Sequence, residues 1–275
     1  IMKRILVPTD FSKHAEEALK SAVQIAKKNG SEIFLLHLLE LPHQLHDAMT
    51  NGSSIPEVML FIKKAHEKLQ KIKEQPHLQG ITISTTVQFE RAFDGILSFN
   101  KKNNIDLIVM GSSGSSGIEE MLIGSNTEKV VRLSDIPVLV VKKDLDTFNI
   151  KNIVFASDFT KEIKKPFLKM IEFANIFDAN LALVMICTPN SFKTTAIAEK
   201  TMKDFIADFE VKNYSINIYN DSNIEKGIRN FTNTIGADLI GLCTHGRTGL
   251  SHFFNGSIGE DLVNHSTKPV ITFKI

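Results

Sequence analysis

The chain has 275 residues, of which 43% are hydrophobic and 23% are charged, and its formal net charge at pH 7 is +1. This composition is typical of a globular protein and argues against a general nucleic-acid-binding surface, which would be strongly basic. No apolar run reaches the length of a membrane span, and no charged and apolar leader precedes the first predicted strand. The two cysteines are too few for a disulfide framework. We therefore expect a cytoplasmic protein without nucleic-acid or membrane partners.

The first half of the chain alternates short apolar segments with amphipathic ones. Strands are predicted over 5–8, 32–39, 81–89, 107–110 and 137–141, because these segments are apolar or alternate in polarity between turn residues. Helices are predicted over 12–29, 56–74, 94–103 and 128–133, and Gly30 is expected to end the first of them. Strands that alternate with helices predict a parallel sheet covered by helices on both faces.

A segment rich in glycine and serine follows the fourth predicted strand. Its glycines include Gly111, Gly114 and Gly124, and Ser125 or Asn126 is expected to cap the next helix. Glycines let backbone N–H groups approach a ligand closely, and a helix N-terminus favours negative charge, so the segment suits a phosphate group. The spacing matches neither the Walker loop nor the dinucleotide fingerprint, and a flexible surface loop is the competing interpretation.

The chain contains an internal repeat. The segment around Asp10 recurs around Asp158, an offset of 148 residues, and the segments at 106, 114, 124 and 137 recur at 238, 246, 256 and 269, an offset of 132. One offset kept over several separate segments indicates a duplicated structural unit. We therefore predict two tandem domains, over 1–143 and 150–275, with about sixteen extra residues between Glu40 and Ile81 of the first.

Three motifs of the first half together resemble the universal stress protein family. They are the segment Val7-Pro-Thr-Asp-Phe-Ser12, the segment Leu36-His-Leu38, and the Gly-x2-Gly-x9-Gly-Ser spacing that begins at Gly111. The second half carries the related loop over 244–251, so the resemblance covers nearly the whole chain. Each motif is weak alone, but their occurrence in this order is specific.

The resemblance implies a fold. Family members have α/β, Rossmann-like domains of the adenine nucleotide alpha hydrolase-like type, each with a five-stranded parallel sheet of order 3-2-1-4-5 and helices on both faces. Tandem members pair their two domains through the last strand of each, which here corresponds to 138–141 and 270–273. A further homo-oligomer is also compatible with the resemblance.

The resemblance also implies an adenine-nucleotide site in the first domain, for ATP with or without Mg²⁺. Asp10 would accept hydrogen bonds from ribose hydroxyls, the backbone of Leu38 would contact the adenine edge, and Met110 would lie beside the ribose. A helix cap at Asp10 and core packing of Met110 are the alternatives. The expected nucleotide-binding residues are Pro8, Thr9, Asp10, Leu38, Met110, Gly111, Ser113, Gly114, Gly124, Ser125, Asn126 and Thr127.

The second half departs from the family pattern. Cys243 stands where the first glycine of the motif belongs, and its side chain would occupy space that a closely bound ribose needs. We expect a degenerate second site, in which Asp158 is a structural cap. The residues of this possible second site are Ser157, Asp158, Gly246, Gly256 and Ser257.

Catalytic and metal sites are not expected. No Ser-His-Asp or Cys-His order stands out, and the glycine-rich segment lacks the lysine that phosphoryl-transfer sites usually bring to the γ-phosphate. The set Cys243, His245, His252 and His265 fits no common zinc spacing. Three functions remain open: a regulatory stress protein that binds ATP in its first domain, a scaffold or binder of another small ligand, and a slow ATP-hydrolysing enzyme.

Overall fold

The computed structural model describes residues 2–40, 55–112, 124–142, 148–244 and 262–275. The strands of the first half are β1 (Arg4–Pro8), β2 (Glu32–Leu39), β3 (Ile83–Phe89), β4 (Leu107–Gly111) and β5 (Val138–Val141). Its helices are α1 (Lys13–Asn29), α2 (Ile55–Lys73), α3 (Ala92–Asn103) and α4 (Ser125–Leu133), with a 3₁₀ turn at Pro76–Leu78. Every element predicted for this half is present.

The second half repeats this order of elements, and residues 262–265, which precede its last strand, are helical. Its strands are β6 (Asn152–Ala156), β7 (Asn180–Cys187), β8 (Tyr214–Asn220), β9 (Leu239–Thr244) and β10 (Val270–Lys274). Its helices are α5 (Lys164–Phe177), α6 (Thr195–Ile206) and α7 (Ile224–Thr234), and a 3₁₀ turn at Lys161–Ile163 precedes α5.

The strands form one ten-stranded sheet of order β3-β2-β1-β4-β5-β10-β9-β6-β7-β8. Each half contributes five parallel strands in the predicted order 3-2-1-4-5, which confirms the predicted fold class. The two halves meet where β5 pairs with β10 in the antiparallel sense, with Leu139 opposite Ile271. The two predicted sheets are therefore continuous.

Helices cover both faces of the sheet, because successive strand residues point to opposite sides. In β1, Ile5 and Val7 join the core beneath α1 and α2, whereas Leu6 joins the core beneath α3 and α4. All three side chains are fully buried. Burial of one such side chain stabilises the fold by roughly 1.5–3 kcal/mol, and strands buried on both faces need this continuous apolar sequence.

Capping residues set the ends of the helices. Ser12 is the N-cap of α1 and its hydroxyl accepts a hydrogen bond from the N–H of Ala15, while Gly30 ends the helix with φ +63°. The N-cap of α4 is Gly124, so the prediction that Ser125 or Asn126 caps this helix was wrong. Both of those residues lie inside the first turn of α4.

Two lysines cross the junction between the halves, at positions related by the 132-residue offset. Lys274 donates to Oδ1 of Asp135 at 2.7 Å, whereas Lys142 donates to the carbonyl oxygens of Val263 and Asn264. Burial lowers the pKa of Lys142 to about 8. The last strand of each half is thus bonded to the opposite half through side chains as well as backbone.

Candidate functional site

A cavity of about 390 Å³ opens at the carboxyl ends of β1, β2 and β4. The strand order reverses between β1 and β4, and ligands of open α/β sheets bind at such a switch point. We call this cavity the first crevice. It is lined by Pro8, Thr9, Asp10, Ala15, Leu36, Leu38, Glu40, Ala92, Ile96, Met110, Gly111, Gly124, Ser125, Asn126 and Thr127.

The structure brings together all predicted site residues of the first half that it describes. Ser113 and Gly114 lie outside the described residues, as do Gly246, Gly256 and Ser257 of the possible second site. Whether the lining residues hold a nucleotide stays a prediction at this point.

The turn after β1 presents Asp10 to the crevice. The N–H of Phe11 donates to Oγ1 of Thr9 at 3.1 Å, and the N–H of Ser12 donates to Oδ1 of Asp10 at 3.0 Å. These two bonds fix a turn in which Phe11 has φ +64°. Because Ser12 is the N-cap of α1, the alternative of a helix cap at Asp10 is wrong. Asp10 instead holds the turn before the helix and lines the crevice.

The backbone of Leu38 is exposed to the crevice by the early end of β1. The N–H of Thr9 donates to the carbonyl of Leu36 at 2.8 Å, and the ladder between β1 and β2 ends at Pro8. Backbone groups alternate along a strand, so the N–H and C=O of Leu38 point to the same side as those of Leu36. They therefore extend past the end of β1, where a ligand can pair with them.

The N-terminus of α4 forms the opposite end of the first crevice. Its N-cap, Gly124, provides no side-chain cap, and the first-turn residues Ser125, Asn126 and Thr127 all line the cavity. Oγ1 of Thr127 donates to the carbonyl of Gly111 at 3.1 Å and ties the helix to the end of β4. The first-turn N–H groups of a helix and its dipole favour an anion at this position.

Gly111 has a structural role that the sequence interpretation did not include. A Cβ atom at this position would lie 2.6 Å from the carbonyl oxygen of His14 and 2.7 Å from its carbonyl carbon. The first turn of α1 therefore packs directly on the end of β4. The missing side chain makes room for this helix in addition to any room that it leaves for a ligand.

Five lining residues were not predicted: Ala15, Leu36, Glu40, Ala92 and Ile96. Four of them are apolar and belong to strand or helix faces that would serve a buried core equally well. Glu40 had a detectable signal, because it directly follows β2 at the carboxyl edge of the sheet.

His37 supports the wall of the crevice from the neighbouring face. Its Nδ1 donates to the carbonyl oxygen of Thr9 at 2.7 Å, and its ring lies 4.3 Å from the ring of Phe11. Burial lowers the pKa of His37 below its ordinary value. The neutral ring therefore helps to hold the Thr9–Phe11 turn.

The second half keeps the same turn after its first strand. The N–H of Phe159 donates to Oγ of Ser157 at 3.1 Å, and the N–H of Thr160 donates to Oδ1 of Asp158 at 3.3 Å. Phe159 has φ +58°, close to that of its counterpart Phe11. Asp158 thus makes the turn contact that Asp10 makes in the first half. Because Thr160 is the N-cap of the 3₁₀ turn that follows, the expectation that Asp158 is a structural cap was wrong.

Larger side chains occupy the second half at two positions equivalent to the lining of the first crevice. Cys243 replaces Gly111 and is 0% exposed, and Ile163 replaces Ala15 and is 2% exposed. Burial, with a smaller contribution from Asp158, raises the pKa of the Cys243 thiol above its ordinary value. The 3₁₀ turn at Lys161–Ile163 delays the start of the helix, so the segment equivalent to the first turn of α1 has a different conformation beside Cys243.

The ligand sets and helix hydropathies of the part of the chain that the structure describes bear on metal binding and membrane insertion. There, no group of three or more His, Cys, Asp or Glu side chains is arranged to hold a metal ion. Cys187 and Cys243 are both buried free thiols. Within the same ranges, no helix combines the length and hydropathy that a membrane-spanning segment needs.

The fold and the crevice together define a tandem, doubly wound α/β protein with a ligand-sized cavity at the switch point of its first half. The model of the universal stress protein family matches residues 2–142 and 216–274. The chain therefore belongs to the universal stress protein family.

Relatives and solved structures agree with this assignment. A universal stress protein of Methanocaldococcus jannaschii is 34% identical over 144 residues, which are 52% of this chain and 84% of the relative. A universal stress protein of Synechocystis is 22% identical over 296 residues and aligns with 99% of this chain and all of the relative. The crystal structure of a universal stress protein from Archaeoglobus fulgidus has a TM-score of 0.77 at 22% identity, covers 99% of this chain and 98% of its own, and shows the same fold.

Proposed function

We propose that this protein is a regulatory stress-response module that binds ATP, or another adenine nucleotide, in the first crevice. The observation that supports this most is the pairing of two features across one cavity. A helix N-terminus without a side-chain cap lies at one end, and the free edge of β2 at Leu38 lies at the other.

The chemistry of the lining suits the three parts of a nucleotide. The first-turn N–H groups of α4 suit phosphates, which bind at helix N-termini. The N–H and C=O of Leu38 form a donor and acceptor pair that matches the Watson–Crick edge of adenine, and apolar side chains flank it. Between them, the carboxylate of Asp10 is positioned to accept hydrogen bonds from ribose hydroxyls. The hydroxyls of Ser125 and Thr127 are oxygen ligands that also suit Mg²⁺ beside the phosphates.

We further propose that the two repeats act as domains, over 1–143 and 150–275, that pair within the chain as the subunits of a dimer would. The antiparallel contact of β5 with β10 and the two lysines that cross it support this arrangement. In this arrangement the first domain binds the nucleotide, and the combined surface of both domains contacts partners.

Isothermal titration of the full chain with ATP, with and without Mg²⁺, tests the proposal. We expect one site per chain and at least a tenfold loss of affinity in Asp10→Asn, which keeps an oxygen for the Ser12 N–H but loses the charge. The matched variant Asp158→Asn makes the same change in the second half and should bind ATP as the wild type does. Absence of binding at millimolar ATP would contradict the proposal.

Phosphate release by the same proteins tests the alternative of a slow ATP-hydrolysing enzyme. We expect release at the background rate. Steady turnover that Asp10→Asn abolishes would favour the enzyme instead. Mass spectrometry of the purified protein would reveal another small ligand, the outcome that a non-nucleotide member of the family predicts.

A further inference from the structure

One acidic side chain lies at the otherwise apolar end of the first crevice. Leu38, Ala92 and Ile96 line this end, and Glu40 lies at its mouth. This part of the lining therefore places one charged acceptor beside apolar side chains.

Glu40 is held in place by the helix that closes this end. Its Oε1 accepts a hydrogen bond from the N–H of Ala92, the first residue of α3, at 2.7 Å. The N-cap residue of α3, Arg91, makes no side-chain cap hydrogen bond, so Glu40 takes over that function from a distant position in the sequence. This bond uses one oxygen, and a carboxylate accepts at two.

Helix α3 packs closely on β2 at Leu38. A Cβ atom at Gly95 would lie 2.4 Å from Cδ2 of Leu38, so a larger residue there would require this side chain to shift. The carboxylate of Glu40 and the backbone carbonyl of Leu38 are two acceptors that belong to the lining of one cavity.

From this geometry we infer that Glu40 determines which base the first crevice accepts, by receiving a hydrogen bond from the exocyclic amino group of adenine. The inference rests on the proposed nucleotide function. An amino group has two hydrogens, one for the carbonyl of Leu38 and one for the carboxylate of Glu40. A keto group in its place, as in hypoxanthine or guanine, directs lone pairs at both acceptors. Sites built around such hydrogen bonds reject analogues that leave buried polar groups unpaired.

The second half shows that the fold does not require an acid here. Thr188 stands at the equivalent position after β7, is buried, and shares a hydrogen bond of 2.8 Å with Ser191. The hydroxyl of Thr188 is hydrogen-bonded within its own loop, so this position of the second half carries no charged acceptor. Glu40 is therefore a feature of the first crevice and not of the duplicated scaffold.

The test compares ATP with inosine triphosphate, in which a keto group replaces the 6-amino group and N1 carries a hydrogen. The N1 hydrogen faces the backbone of Leu38 in every variant, so a change in the ratio of the two affinities reports on the contact at position 6. Affinities for the full-length wild type, Glu40→Gln and Glu90→Gln are measured by titration calorimetry. Glutamine keeps an oxygen for the Ala92 N–H and offers an amide N–H to a keto oxygen. Glu90→Gln is the matched control. Oε2 of Glu90 accepts a hydrogen bond of 2.9 Å from the hydroxyl of Ser98 in α3, the helix that Glu40 also bonds, but Glu90 does not line the crevice.

We expect the wild type and Glu90→Gln to bind ATP at least tenfold more tightly than inosine triphosphate, and Glu40→Gln to reduce that ratio at least fivefold. Unchanged urea midpoints would show that the cap of α3 survives. If Glu40→Gln binds ATP but leaves the ratio of ATP to inosine triphosphate affinity unchanged, the role of Glu40 is overturned and the proposed nucleotide function is not. Failure of the wild type to bind either nucleotide would overturn the proposed function together with this inference.

Discussion

The two halves of the molecule share a backbone but differ in the size of the side chains at the ends of their strands. The first half has Ala15 and Gly111 around its crevice, where the second half has Ile163 and Cys243. The turns after β1 and β6 have the same pattern of hydrogen bonds. The duplicated scaffold thus has small residues at this corner in one half and large residues in the other, where a 3₁₀ turn at Lys161–Ile163 replaces the first turn of the helix.

The shared contacts identify what the scaffold itself needs. Oδ2 of Asp106 accepts hydrogen bonds from the N–H groups of Lys3 and Arg4, at 2.8 and 2.9 Å. Oδ2 of Asp238 makes the same two bonds, at the same distances, to Lys151 and Asn152. Contacts repeated in both halves therefore belong to folding, and residues that differ between the halves are candidates for binding.

The largest effect is expected when Gly111 takes the residue of the second half. Gly111→Cys places a Cβ atom against the backbone of His14, which cannot move aside as a flexible side chain would. Overpacking of this kind costs about 1–3 kcal/mol, and we expect the upper end of that range, with loss of ATP binding. Urea unfolding of the full chain measures the cost.

The reciprocal change is the control for Gly111→Cys. Cys243→Gly creates no clash, but it loses the burial of a small side chain and about 0.5–1 kcal/mol of chain entropy. We therefore expect it to destabilise the chain while leaving ATP binding at the wild-type level. Loss of ATP binding in Cys243→Gly as well would show that the effect of Gly111→Cys is not specific to the first crevice.

Space in the first crevice is the second test of the comparison. Ala15→Ile introduces the residue found at Ile163, and Ala92→Ile introduces the residue found at Ile224, the first residue of α7. Each adds a branched side chain to the cavity, so we expect about a tenfold loss of ATP affinity.

Stability distinguishes this loss of space from misfolding. An isoleucine in a helix costs only a few tenths of a kcal/mol, so the urea midpoints of both variants should stay near that of the wild type. ATP affinities that equal the wild-type value would disprove the assignment of this cavity to the nucleotide.

The third test concerns the lysines at the junction of the halves. Because the pKa of Lys142 is lowered to about 8 from 10.5, the unfolded chain binds more protons than the folded chain between these values. The free energy of unfolding should therefore rise with pH across this window, and Lys142→Met should remove on the order of 1 kcal/mol of that rise.

Lys274→Met is the matched variant for this measurement. Its ammonium pairs with Asp135, whose side chain is 67% exposed, and such pairs contribute about 0–1 kcal/mol. Unfolding curves measured at several values from pH 7 to about pH 10.5 compare the two. If Lys142→Met leaves the rise of the free energy of unfolding with pH unaltered, the pKa of Lys142 is not lowered by burial.

The smallest effect is expected at His37, whose counterpart in the second half is Met185. Burial lowers the pKa of His37 from its ordinary 6.5, so below that pH the unfolded chain takes up a proton that the folded chain resists. The free energy of unfolding should fall as the pH drops below 6.5, and less steeply in His37→Met. His66→Met, on the exposed surface of α2, controls for the loss of a histidine as such. If the free energy of unfolding falls equally steeply with pH in the wild type and in His37→Met, burial of His37 does not contribute to the pH dependence.

Much of the fold was predictable because the relevant signals are local. Apolar strands, helical periodicity and Gly30 located the elements, and one repeated offset indicated the duplication. The start of α4 was misplaced, because Gly124 has no side chain and gives a weaker capping signal than the adjacent Ser125. The lining residue Ile96 was also missed, because an apolar residue on a helix has the same periodicity whether it faces a core or a cavity. Ala92 was missed because the predicted helix began at residue 94, two residues after α3 starts.

By itself, the sequence determined the family, the two repeats and the predicted positions along the chain that the structure brings together at one crevice. These features depend on residue identity and spacing, which a sequence contains. Only the tertiary structure decided that Gly111 faces the backbone of His14 and that Glu40 caps a helix 52 residues further along. Each of these depends on contacts between distant segments, whose distances are set by packing.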